Sequence, residues 1–153
     1  MFLSLNLFTD GRKIKMKFKK LLLLPIGLAL SIAGCAGIGP NATYYMGTRA
    51  FSYSLSYVPY DVKLNGSEIG AGGMNTSPVK LGPQVITWRD ANTGEVHTAK
   101  NEVVIKREQV KGMKYLALHL YPDDTVEIIT SMNWPSQTEK GREWREKLRN
   151  QNK

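Results

Sequence analysis

Tyr60-Asp61-Val62-Lys63-Leu64-Asn65-Gly66-Ser67-Glu68-Ile69 is the stretch on which the fold turns. Apolar and polar residues alternate up to Leu64, the period-two signature of a strand with one buried face, and Asp61 and Lys63 fall on the wet side. Asn65-Gly66 follows at once. That dipeptide tolerates the two positive φ angles of a type I′ turn, so a two-residue hairpin is expected, with Ser67-Glu68-Ile69 returning.

The same alternation recurs on both sides. Phe51-Ser52-Tyr53-Ser54-Leu55 reads as a strand whose large residues share a buried face. After a glycine-rich segment, Gly70 to Pro78, expected to be a flexible loop, Gly82-Pro83 punctuates the chain. Val85-Ile86-Thr87-Trp88-Arg89 should place Ile86 and Trp88 inward. Asp90 to Gly94 turns the chain, Glu95 to Ala99 returns it, and Glu102 to Lys106 is a further strand. Lys114 to Tyr121 puts Leu116, Leu118 and Leu120 toward the core. Pro122-Asp123-Asp124 has the composition of a type I turn with proline second, and Thr125 to Ile129 completes that hairpin. About seven short strands and no helical periodicity predict one small antiparallel β-sandwich, immunoglobulin- or transthyretin-like. A short C-terminal helix follows Trp134-Pro135. Ser136 is expected to cap it and Glu139 to reach back, with only Trp144 and Leu148 apolar in the body, Lys140 to Asn150.

The N-terminal third is of another kind. Lys17-Phe18-Lys19-Lys20 precedes an apolar run, Leu21 to Ala33, of 13 residues. That is signal-peptide length; a membrane-spanning helix needs about 20. The run ends in Ile32-Ala33-Gly34-Cys35, and Cys35 is the single cysteine. An aliphatic, two small residues and a cysteine form a lipobox, in which Ile32, Ala33 and Gly34 are read by the signal peptidase and Cys35 is lipidated. Ala36 in place of aspartate directs sorting to the outer membrane, facing the periplasm. Two or three acyl chains on Cys35 make anchoring effectively permanent, whereas one binds marginally. With that thiol acylated, no disulfide within the monomer is possible. Met16 opens a compact leader, so residues 1–15 are expected to be an upstream extension outside the true reading frame start. The organisation expected is therefore 16–34 signal peptide, 35–42 tether, 43–133 β-sandwich and 134–153 charged helix and tail.

Charge excludes one class of function. Residues 1–34 hold six Lys/Arg against Asp10, which is +5 of the net +8; the remaining +3 sits in residues 139–153, with six Lys/Arg against three Glu. Residues 35–138 balance at nine of each sign. The sandwich thus has no net basic character, and no nucleic-acid-binding motif accompanies it.

Catalytic equipment is sparse. There is no Gly-x-Ser-x-Gly elbow, Walker loop or dinucleotide fingerprint. His119 alternates with the leucines of its strand and should face solvent; His97 should do the same. Ser52, His119 and Asp123 could be drawn as a triad, but any chain with these residue types permits the drawing. Asp123-Asp124 is turn chemistry after Pro122. The expectation is a protein that is not an enzyme, with no metal and no cofactor beyond the covalent lipid on Cys35. It has no small-molecule substrate, and it works by binding a protein partner. Candidate contact features are the Gly70–Ser77 loop, the Asp90–Glu95 loop and the C-terminal helix, with Tyr45, Tyr57, Tyr60 and Trp144 as available aromatics.

Two blocks carry a resemblance: Trp88 to Asn101, and Tyr115 to Val126 with its Leu118-His119-Leu120-Tyr121-Pro122-Asp123 centre. Together with the lipobox, the segment from Val58 to Glu127 resembles the immunity lipoproteins that neutralise phospholipase effectors of type VI secretion. The resemblance implies that the chain binds such a lipase and occludes it. Only Ile32, Ala33, Gly34 and Cys35 carry over position by position. The alternative is a structural outer-membrane lipoprotein of a secretion or envelope assembly, some of which contain a transthyretin-like sandwich.

Overall fold

The computed structural model describes residues 42–151 and 153. The expected leader and lipobox, and the expected tether up to residue 41, lie outside them. Among the described residues, ten strands and two helices follow in order: β1 Thr43–Ser52, β2 Pro59–Leu64, β3 Ser67–Glu68, β4 Asn75–Lys80, β5 Gly82–Gln84, β6 Ile86–Asp90, β7 Val96–Thr98, β8 Val103–Ile105, α1 Arg107–Val110, β9 Tyr115–Leu120, β10 Val126–Ser131 and α2 Glu139–Gln151. They form a four-stranded sheet ordered β10-β9-β1-β4, a second ordered β3-β2-β6-β7, and a two-stranded ribbon of β5 and β8. The fold is a small, mainly β sandwich with a C-terminal helix, as the alternation predicts. Pairing is antiparallel throughout the named strands except between β1 and β9, which run parallel.

The core lies between the two four-stranded sheets. Met46, Val79, Leu116, Leu118, Leu120 and Val126 from one sheet meet Val62, Leu64, Ile86 and Trp88 from the other. Side chains of alternate residues share a face, so one register places each of these sets inward together. The β2–β3 hairpin turns on Asn65 and Gly66 at φ 49° and 80°, the left-handed pair that a type I′ turn demands. The Pro122 turn closes with the Asp124 N–H donating to the Tyr121 carbonyl at 3.0 Å.

Three expectations need correcting. First, β1 begins at Thr43 and ends at Ser52, and Leu55 is exposed: the alternation of 51–55 straddles a strand end. Secondly, the expected loop of residues 70–78 is half strand. Asn75–Lys80 is β4, held on β1, and its buried Ser77 hydroxyl lies 2.7 Å from that of Thr48. Gly70 is pinned too, its carbonyl accepting from Ala50 N–H at 2.6 Å, and a Cβ there would overlap the Gly73 backbone. Thirdly, Thr138 caps α2, not Ser136: its hydroxyl accepts from Gly141 N–H at 3.0 Å. The one buried residue of α2 is Gly141, and Trp144 and Leu148 are half-buried, the narrow apolar stripe expected.

Candidate binding face and the two histidine niches

Neither histidine faces solvent as expected. His119 is buried. It does lie opposite the leucines, but that second face of the sheet is covered by the chain from Trp134 into α2. Its imidazole stacks between Phe51 and Tyr53, with centroids 5.2 and 5.9 Å away and both pairs within 7° of parallel. Tyr53 in turn stacks on Tyr121 at 5.3 Å, and the Lys140 ammonium lies 4.0 Å above the Tyr121 ring. At the other end of the row the Arg49 guanidinium covers Phe51 at 4.9 Å. The result is a file of four rings with a cation on each end, an arrangement each ring's quadrupole favours.

Thr138 N–H donates to the Tyr53 hydroxyl oxygen at 2.9 Å, and that hydroxyl is hydrogen-bonded to His119 Nδ1 at 2.8 Å. His119 Nε2 is buried and has no hydrogen-bond partner among the described residues. Burial pushes the His119 pKa down to about 4, only partly opposed by the Glu127 carboxylate on the paired position of β10. Glu127 itself accepts from the Tyr121 hydroxyl at 2.6 Å. This niche is a latch for α2.

His97 is half-buried, not on the surface. It lies between Tyr57, at 4.8 Å, and Trp88, at 5.6 Å. Its Nδ1 is 3.3 Å from Asp124 Oδ1; the Lys100 ammonium is 2.9 Å from Oδ2, and the Tyr57 hydroxyl donates to Oδ1 at 3.4 Å. Burial first, and the Asp124 charge second, raise the Tyr57 pKa to about 12, so the phenol stays protonated. Asp124 thereby ties the β9–β10 turn to β7 across the sandwich. Ser52, His119 and Asp123 are not assembled into a triad: His119 Nδ1 is taken by Tyr53, and Asp123 Oδ1 accepts from the Thr125 hydroxyl at 2.7 Å. Among the described residues no group of three or more His, Cys, Asp or Glu is placed to hold a metal, and no helix is long and apolar enough to cross a membrane.

The open surface is the outer face of the β3-β2-β6-β7 sheet. In register, Tyr60 pairs with Arg89 and Arg89 with Val96, so the three side chains form one row across it. Tyr60 is 43 % exposed, and Val58 and Val96 are exposed at either side. A β-bulge interrupts β2 between Tyr60 and Lys63, and Asp61 within it adopts φ 48°. That conformation is costly for a residue with a side chain, and it points the carboxylate at two cations: Lys63 Nζ at 2.8 Å and Arg89 Nε at 3.6 Å. The hydrogen bond from Lys63 chiefly holds the Asp61 carboxyl below the ordinary carboxylate range. Arg89 is also held from its other end, donating to the Gly94 carbonyl at 3.2 Å.

The Asp90–Glu95 loop, named from sequence as a contact feature, borders this row as a rigid turn. Asp90 is buried, accepts from Asn92 N–H and the Thr93 hydroxyl, both at 2.9 Å, and is kept ionised chiefly by the first. Of the aromatics named, Tyr60 belongs to this face, Tyr57 supports it from behind, Tyr45 is fully displayed on the other sheet, and Trp144 lies on α2. Arg89 was not singled out from sequence, although an inward Trp88 already implied an outward neighbour. Cys35, Ile32, Ala33 and Gly34 lie outside the described residues. No family model, curated protein or solved structure matches this chain.

Proposed function

We propose that this chain is a lipid-anchored envelope lipoprotein that binds a type VI secretion phospholipase effector and neutralises it by occlusion. The observation that favours this reading is the Tyr60–Arg89–Val96 row. Tyrosine and arginine are the residue types over-represented where binding energy concentrates, and here the arginine is already fixed at two points before any partner arrives. Such preorganisation spares the side-chain entropy that association otherwise costs. A stable interface needs on the order of 1,600 Å² in total, a size that the row and the bordering Asp90–Glu95 loop can seed. Anchoring through Cys35 holds the inhibitor beside the membranes that an injected lipase attacks, which raises its effective concentration there.

The test is complex formation with a phospholipase effector, whose gene the proposal expects to find beside this one. The full chain in detergent should form a complex at micromolar concentration or below, and Tyr60→Ala and Arg89→Ala should each raise Kd at least about tenfold. No complex with the neighbouring lipase would remove the proposal. Unchanged affinity in both variants would remove this face from it.

A further inference from the structure

A second exposed cluster lies at one end of the β10-β9-β1-β4 sheet. Because β1 and β9 are parallel, both begin there, with Gly47 opposite Tyr115; β10 ends there, with Ser131 opposite Tyr115; and β4 ends there, with Lys80 opposite Thr43. Tyr45 stands on the outer face, paired with Pro78, and is 77 % exposed. Trp134 meets Tyr115 edge-on at 5.7 Å and remains 61 % exposed. Met113 and Met132 are exposed beside them. Lys80, Lys111 and Lys114 are exposed around the same end, whereas Glu127 is engaged with Tyr121 toward the other.

This is also the end at which the chain enters the sandwich. Thr43 opens β1 eight positions after Cys35, a length that spans at most about 29 Å fully extended. We infer that this end of the sheet rests on the phospholipid surface, with Tyr45 and Trp134 seated among the headgroups and the three lysines over anionic lipid. The inference rests on the anchor reading above. Tyrosine and tryptophan favour that layer because it offers an apolar side to the ring and a wet side to its polar atom. Lysines near an anionic leaflet add electrostatic attraction that fades within about one Debye length, about 10 Å, so they contribute only at close approach. Seating this end on lipid leaves the Tyr60–Arg89–Val96 row, on the other sheet, free for a protein.

The experiment uses the full acylated chain in vesicles of three parts phosphatidylethanolamine to one part phosphatidylglycerol, doped with lipid brominated near the glycerol. Tryptophan emission should be quenched, and Trp134→Phe should remove about half or more of the quenchable signal while Trp144→Phe leaves most of it. Lys111→Gln with Lys114→Gln should lower the quenching of Trp134 in these vesicles and leave it unchanged in wholly zwitterionic ones. Absence of quenching, or equal losses in the two tryptophan variants, would overturn the inference. Flotation without Trp134 quenching would mean that the cluster faces a protein or a second copy instead. Lipase binding in detergent is unaffected by either result, so the two proposals fail separately.

Discussion

Replacing Gly141 with alanine should weaken this protein, although the same change in most helices strengthens them. In a free helix, removing glycine's backbone freedom gains at most about 1 kcal/mol. Here an added Cβ would overlap the Tyr53 ring from above. That ring has nowhere to go: it stacks on His119 and Tyr121, and its hydroxyl is held by His119 and by Thr138. Overpacking a fixed site of this kind costs about 1–3 kcal/mol. Lifting α2 away is the other response. It would forfeit the Thr138–Tyr53 hydrogen bond, the Lys140–Tyr121 contact and the donation from Arg145 to the Ser52 carbonyl at 2.8 Å, together about 3–5 kcal/mol. The smaller cost governs; its central value of about 2 kcal/mol, less the helix gain, leaves a net loss of about 1 kcal/mol, or roughly 4 °C in Tm for a domain of this size. Urea and thermal unfolding measure the stability, and hydrogen exchange over residues 139–151 reports the docking. A Gly141→Ala protein as stable as the parent, with unchanged protection of α2, would refute the idea that the helix is seated by close approach to Tyr53.

Acid should loosen the same latch. His119 has a folded pKa of about 4, below the 6.5 of the unfolded chain, so between those values the unfolded state binds the extra proton. Stability should therefore fall as pH drops from 6.5 toward 4, by on the order of 3 kcal/mol in all, and His119→Phe should flatten that slope in denaturant titrations. Asn101 should matter more than an exposed asparagine usually does, since its amide both donates to the Val126 carbonyl at 2.9 Å and accepts from its N–H at 2.7 Å. Asn101→Ala should cost about 1–2 kcal/mol by the same titration and raise exchange at Val126. Cys35→Ser should abolish labelling by a palmitate analogue; a variant that still labels would end the lipobox reading.

How much of this was legible beforehand depends on what alternation encodes. It reports which residues share a face, and so it placed Ile86, Trp88, Leu116, Leu118 and Leu120 correctly. It does not report whether the opposite face is wet. His119 was misplaced for that reason: its cover comes from residues some 20 positions further along, and the residue making closest contact, Gly141, has no side chain to leave a pattern. β4 was invisible because its inward positions include Ser77, whose burial is satisfied by Thr48 and by the Glu68 carbonyl, neither of them local. The binding row was half legible. Tyr60 could be named, but the positive φ of Asp61 that fixes Arg89 arises from a bulge, a mismatch between two strands that neither announces alone.

The parallel pairing of β1 with β9 bears on how the chain can be made. Phe51 and His119 are neighbours across that pair yet stand about 70 positions apart in sequence, and β1 has its remaining partner in β4. The middle of that sheet cannot close until most of the domain is present, which favours slow, late collapse. If the chain is exported as proposed above, such reluctance would be useful: the segment would stay extended while it must pass, and the sandwich would shut only once nearly all of it had emerged.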